Sequence, residues 1–180
     1  GAELVLRHLE SGAEVKYPNV LDYRMTDQGQ RLFFTTSTES GDGDGVFVVE
    51  IGQNANQARK LLGGKGDYRG LVFDESGERL GFLTNRDDAA AEKPAWSAYL
   101  WKSGLNEARL AASVKSSGLP ANWRIAENRP LSFSKSGQRL FLGIAPRPKP
   151  TPTPTPSPKS AAKPGAAPST SPSTTKEEDP

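Results

Sequence analysis

Four clusters of side chains in this 180-residue chain are of types and spacings that could do chemistry. Asp87 and Asp88 follow Arg86 and open a polar run that ends at Glu92-Lys93-Pro94. Paired carboxylates do general acid/base work only where a pocket raises one pKa, and nothing in the flanking residues builds such a pocket. The segment reads as a solvated loop. Glu39-Ser40-Gly41-Asp42-Gly43-Asp44-Gly45 looks like a calcium loop. With Gly45 at the invariant glycine, however, Ser40 falls on the first ligand and Ile51 on the bidentate glutamate. The match fails, and no metal site is assigned. The single histidine, His8, sits next to Arg7 in a half-polar strand, and no Gly-x-Ser-x-Gly elbow exists for a Ser-His-Asp triad to use. Trp96, Tyr99 and Trp101 are aromatic enough to stack on a ligand, but Tyr99 and Trp101 alternate in a strand and read as packing. That leaves Trp123, Glu127 and Asn128, in the long connection from Val114 to Asn128, without an explanation. With Arg86, Asp87 and Asp88 they form the set of candidate contact residues. No catalytic residue and no cofactor is assigned.

The elements that would position these residues are set by a stretch that occurs three times. It runs Met25-Thr26-Asp27-Gln28-Gly29-Gln30-Arg31-Leu32, then Phe73-Asp74-Glu75-Ser76-Gly77-Glu78-Arg79-Leu80, then Phe133-Ser134-Lys135-Ser136-Gly137-Gln138-Arg139-Leu140. In each, a large apolar residue precedes a short polar one, and Gly-x-Arg-Leu opens a second apolar run. Glycine supplies the positive φ of a tight reversal, and the short polar side chain bonds nearby backbone amides. The flanking runs are strand-length and rich in β-formers. Recurrence after 48 and then 60 residues means one supersecondary unit per repeat. A four-stranded propeller blade fits that length.

The expected strands are Val20 to Thr26, Arg31 to Ser37, Val46 to Ile51 and Gln57 to Leu62 for one blade. The next uses Tyr68 to Phe73, Arg79 to Asn85, Ser97 to Lys102 and Ala108 to Ala112. A hairpin from Leu4 to Tyr17 reads as the outer half of a preceding blade, and Pro130 to Ser134 with Arg139 to Ile144 as the inner half of a following one. The second strand of each unit is apolar on both faces, as blades stacked around an axis require. The fold class is thus all-β: a partial propeller of four-stranded antiparallel blades over residues 1–145, ordered half blade, two blades, half blade.

Eleven of the fifteen prolines lie at or beyond Pro146. Residues 146–180 are expected to be a disordered, proline-rich segment, an insertion in a parent protein, because they carry too little apolar surface to offset ordering entropy. Up to Ala145 there are 18 Lys and Arg against 18 Asp and Glu, so no net field attracts nucleic acid or an anionic membrane. The formal +2 comes from the tail. No cysteine is present, which removes disulfides and thiolate metal sites. Gly1 to Glu10 already reads as strand, so the sequence is expected to be an internal piece of a longer protein; the compartment is undetermined.

The three hairpins resemble the propeller repeats of TolB-like proteins and of the prolyl oligopeptidase family of serine peptidases. Leu6-Arg7-His8-Leu9-Glu10-Ser11-Gly12, Gly66-Asp67-Tyr68-Arg69-Gly70-Leu71, Phe82-Leu83-Thr84-Asn85-Arg86-Asp87-Asp88 and Leu131 to Gly137 are similar to a bacterial branch of that peptidase family, as is a proline-rich insertion after the third hairpin. The resemblance implies a propeller that caps an α/β-hydrolase domain of the parent chain and filters peptide substrates by size. The family's triad lies in that hydrolase domain, so no catalytic residue carries over. The alternative is a non-catalytic, TolB-like propeller acting as a protein-binding scaffold. A carbohydrate-active propeller would need clustered carboxylates on inner strands, where only Asp22 and Asp74 stand.

Strand direction alone predicts where function lies. Turns around Gly12, Gly29, Gly77, Gly104 and Gly137, with residues 52–56, emerge at one end of the sheets. The connections 38–44, 63–67, 86–96 and 114–128 emerge at the other, where Arg86, Asp87, Asp88, Trp123, Glu127 and Asn128 are expected to meet a partner.

Overall fold

The structure, a computed structural model, describes residues 2–52 and 57–148. It is built from antiparallel strands: β1 (Ala2–Arg7), β2 (Glu14–Met25), β3 (Arg31–Thr36), β4 (Gly45–Glu50), β5 (Arg59–Gly63), β6 (Tyr68–Phe73), β7 (Arg79–Thr84), β8 (Ser97–Lys102), β9 (Arg109–Ala112), β10 (Trp123–Ile125), β11 (Ser132–Phe133), β12 (Leu140–Phe141) and β13 (Ile144–Pro146). The only helical element among the described residues is a 3-10 turn, Arg86–Asp88. Strands β1 to β5 form one sheet in chain order, β6 to β9 a second, and β10 with β13 and β11 with β12 two small ladders.

The repeated turn has the same geometry three times. The amides of Gly29, Gly77 and Gly137 donate to the carbonyls of Thr26, Asp74 and Ser134 at 2.7, 2.9 and 2.7 Å. The glycines sit at φ +68°, +69° and +68°. The side chains of Thr26, Asp74 and Ser134 accept from the amides of Arg31, Arg79 and Arg139 at 3.1, 3.0 and 3.1 Å. Each short polar residue therefore closes its own hairpin, as its position in the repeat requires.

Packing follows the two-sided apolar pattern of β3 and β7. Phe33 joins Val46, Val48 and Leu61 of the first sheet to Tyr68, Leu71, Leu80, Phe82 and Trp101 of the second. Its ring meets Trp101 edge-on at 5.6 Å. Leu32 and Phe34, on the opposite face of β3, pack with Tyr17, Val20 and Val49. Leu83, Trp96 and Ala98 then bury against Ile125 and Leu131. Phe33, Phe82 and Trp101 are fully buried, each contributing roughly 2 to 3 kcal/mol of apolar transfer. Gly81 is small because the Leu140 Cδ1 approaches within 3.1 Å of where a Cβ would stand.

Three expectations are corrected. The break placed between Tyr17 and Val20 is absent: β2 runs unbroken through Pro18 and Asn19, its first half pairing with β1 and its second with β3, with register shifts at both ends of Val20. The N-terminal hairpin is thus joined to the first sheet, with Asn19 at φ +59° absorbing the bend. The strand expected from Arg139 to Ile144 pairs with β11 only over Leu140 and Phe141, then leaves it so that Ile144–Pro146 can pair with β10. That pairing carries Pro146, assigned to the tail, into a strand, and turns part of the connection 114–128 into β10. The disorder expected of the proline-rich segment falls, from residue 149 onward, outside the described residues.

Candidate functional site at the long-connection end

The connections 37–44, 64–67, 85–96 and 113–122 leave the strands at one end of the two large sheets, and the tight turns at the other. The long connections hold one another through buried side chains. Asp44, almost fully buried, accepts from the Thr38 amide at 2.6 Å and the Gly66 amide at 3.3 Å. The aspartate of the calcium-like stretch therefore spends its carboxylate on backbone amides of two loops. Asn85 ties the next pair: its Oδ1 accepts from the Asp67 amide at 2.8 Å, and its Nδ2 donates to Asp67 Oδ2 at 3.2 Å.

Arg86 and Asp87 meet around a phenol. Arg86 Nη1 donates to the Gly63 carbonyl at 2.6 Å, and Nε donates to Asp87 Oδ1 at 3.1 Å. Tyr99 Oη donates to Asp87 Oδ2 at 2.7 Å, and the guanidinium lies 5.3 Å from the Tyr99 ring centroid. Burial, reinforced by the bond to Asp87, pushes the Tyr99 hydroxyl pKa up. Tyr68 is pushed up to about 12 by burial, while its hydroxyl donates to the Gly64 carbonyl at 2.7 Å. Neither phenol is a base at neutral pH. Asp88 Oδ2 accepts from the Ala95 amide at 2.7 Å, which closes the connection 85–96 into a rigid loop.

Two grooves open beside this frame. The larger, about 640 Å³, is lined by Asp67, Arg69, Asp88, Trp96, Glu127 and Asn128, among others. The second, about 580 Å³, is lined by Asp87, Asp88, Tyr99, Leu110 and Lys115. Of the six residues singled out, Asp87, Asp88, Glu127 and Asn128 thus reach a groove wall. Arg86 lines neither groove and acts as a brace between β5 and β8. Trp123 lies in β10 opposite Pro146 and lines neither groove. Glu127 is not a free acid, because it pairs with Arg124 of β10, three residues earlier. Sequence reasoning passed over Arg69, Arg124 and Arg147, and read Trp96, which lines the larger groove, as packing alone. Arg69 lies over Trp96 at 5.1 Å from the ring centroid, a contact between β6 and the residue before β8 that no local spacing announces.

The walls mix both charges, with Lys93, Arg124 and Arg147 facing Asp67, Asp88 and Glu127. Among the described residues, neither groove places a hydroxyl nucleophile against a histidine. The nearest approach to such a pair is elsewhere, where Ser11 Oγ lies 3.0 Å from His8 Nδ1 in the turn after β1. The Ser11 amide also donates to that nitrogen at 3.2 Å, and both residues are exposed. His8, expected within a strand, stands one residue past it as a turn acceptor. Among the described residues no group of three or more His, Cys, Asp or Glu side chains could hold a metal ion, and no helix is long and apolar enough to cross a membrane.

No protein-family model and no curated protein matches the chain. Among solved structures it is similar to the β-propeller domain of the Trilobed protease from Pyrococcus furiosus, described as having an open velcro topology, at 13% identity and a TM-score of 0.35 over 69% of this chain and 50% of that one. The chain therefore spans about half the length of that domain.

Proposed function

We propose that residues 1–145 are part of a β-propeller from a prolyl-oligopeptidase-like serine peptidase, and that the long-connection end faces an α/β-hydrolase domain and the peptides it admits. The sheets β2 to β5 and β6 to β9 serve as successive blades, stacked hairpin on hairpin. The observation that carries this reading is the pair of grooves at one end, walled by loops that are braced from behind by Arg86, Asn85 and Asp44. Loops on a rigid support are where binding residues sit. The chain supplies the gate, and the parent protein's hydrolase domain supplies the chemistry.

The test is a titration of the 180-residue chain with a short proline-containing peptide, followed by amide and indole resonances. Shifts are expected at Asp88, Trp96 and Asn128, and Asp88→Ala and Asn128→Ala should weaken binding several-fold. Shifts confined to Gln28, Glu78 and Gln138 at the opposite end would refute the assignment of the binding end. Absence of peptide binding, with a folded protein captured at the same residues, would favour the non-catalytic scaffold.

A further inference from the structure

The charges on the groove walls are not equivalent. Every acid there already has a donor from within the chain. Asp67 Oδ2 accepts from Asn85 Nδ2 at 3.2 Å, Asp88 Oδ2 accepts from the Ala95 amide at 2.7 Å, and Glu127 takes Arg124. In the second groove, Asp87 is held by Arg86 and Tyr99. Cations are left over. Among the described residues, the side chains of Lys93, Lys115 and Arg147 have neither an ion pair nor a hydrogen bond, and all three are exposed.

Arg147 stands where this surplus gathers. It lines both grooves, as do Asp88 and Ala95, so the two grooves meet there. Its backbone is fixed just past the β10–β13 ladder, where Pro146 pairs with Trp123 and the Arg147 amide donates to the Asn122 carbonyl at 2.7 Å. Lys93 lines the larger groove beside it and Lys115 the second. Arg124, also on the wall of the larger groove, spends Nη1 on Glu127, while its Nε is buried without a hydrogen-bond partner. A buried donor without an acceptor is costly, so this wall carries hydrogen-bonding capacity that the described chain does not fill. Apolar surface lies to either side, from Pro94 and Trp96 in the larger groove and from Leu110 and Val114 in the second.

We propose that the junction of the two grooves is a subsite for an acidic side chain, a glutamate or aspartate of an extended peptide. Arg147 holds the carboxylate with Lys93 and Lys115, and the neighbouring peptide residues, on either side, are apolar. A peptide that fills both grooves passes through the junction, so the carboxylate met there belongs to a side chain and not to the peptide's C-terminus. Guanidinium and ammonium groups bind carboxylates through charge-assisted hydrogen bonds, which are shorter and stronger than neutral ones. The subsite rests on the peptide-binding reading above and sets the charge of the preferred peptide.

Calorimetric titration of the 180-residue chain with three acetylated pentapeptides tests it. The first carries glutamate between proline and leucine and is amidated at its C-terminus, the second replaces the glutamate by glutamine, and the third is the glutamine peptide with a free C-terminal carboxylate. The glutamate peptide should bind about tenfold more tightly than the amidated glutamine peptide, and the free C-terminus should not restore the difference. Added salt should narrow the preference. Arg147→Gln should remove it and Lys93→Gln should reduce it; both positions are exposed, and far-ultraviolet dichroism of the variants should match the parent. Lys135→Gln removes the same charge at the tight-turn end and should leave the preference unchanged. Equal binding of the glutamate and glutamine peptides, at the groove residues, would overturn the inference and leave the peptide-binding reading standing. A preference that survives Arg147→Gln, that Lys135→Gln abolishes equally, or that the free C-terminus reproduces would also overturn it. Absence of binding by all three peptides would overturn both.

Discussion

Replacing Arg31 probes the junction on which the fold's stacking depends. Its side chain is only 15% exposed, yet it reaches five partners. Nε donates to Glu50 Oε2 at 2.9 Å, Nη1 to the Gly77 carbonyl at 2.9 Å and to Glu78 Oε1 at 3.0 Å, and Nη2 to Ser103 Oγ at 3.0 Å. The guanidinium also sits 5.9 Å from the Trp101 ring centroid. Both carboxylates are about half exposed, so in Arg31→Ala they return to water, and each pair is worth about 0.5 kcal/mol. The larger loss is the pair of charge-assisted bonds to Gly77 and Ser103, which together with the cation-π contact bring the expected cost to about 2 to 3 kcal/mol. Arg31→Lys keeps the charge but loses the planar fork, and should recover less than half of it. Urea unfolding followed by tryptophan emission measures both, with unchanged denaturant dependence. A cost below about 0.5 kcal/mol for Arg31→Ala, or full recovery by lysine, would refute the view that a forked clasp joins the two sheets.

The three equivalent glycines offer an internal comparison: Gly29→Ala should cost only the left-handed backbone penalty of about 1 to 2 kcal/mol, whereas Gly77→Ala and Gly137→Ala, whose added Cβ would meet Thr26 and Asp74 below 3.0 Å, should cost measurably more by chemical denaturation. Although burial pushes the Asp74 carboxyl pKa up, the Arg79 and Glu78 amides, the Ser76 hydroxyl and the Arg79 guanidinium together hold it below its ordinary value. Its stabilisation is therefore complete above the unfolded value near ~4 and lost as pH falls through the lower folded value, so the stability of Asp74→Asn should decline less steeply over that acid window. Tyr68, raised to about 12 by burial, stabilises fully below the unfolded value near ~10 and loses that contribution as pH climbs towards the folded value. Tyr68→Phe should abolish this alkaline decline while costing about 1 kcal/mol at neutral pH for the lost bond to Gly64.

The hairpins were legible in the amino-acid order because everything they need is local. A short polar residue, a glycine at positive φ and two apolar runs close the same turn wherever they occur, and the unbroken apolar run Leu32, Phe33 and Phe34 already required a sheet buried on both sides. The gathering of long connections at one end also followed, since it depends only on antiparallel strand direction. Tertiary structure decided the rest. That β2 would pass unbroken through Pro18 and Asn19 depends on β1 and β3 bonding opposite edges of its two halves. That Arg86 would brace Gly63 and Tyr99 while Asp88 and Asn128 line a groove depends on loops separated by tens of residues. Arg69 over Trp96 and Arg31 on Gly77 are contacts of the same kind. Turn chemistry acts over a few bonds and leaves its mark in sequence, whereas a charge finds its partner only after the sheets have stacked, and which loop lies opposite is a property of the stack.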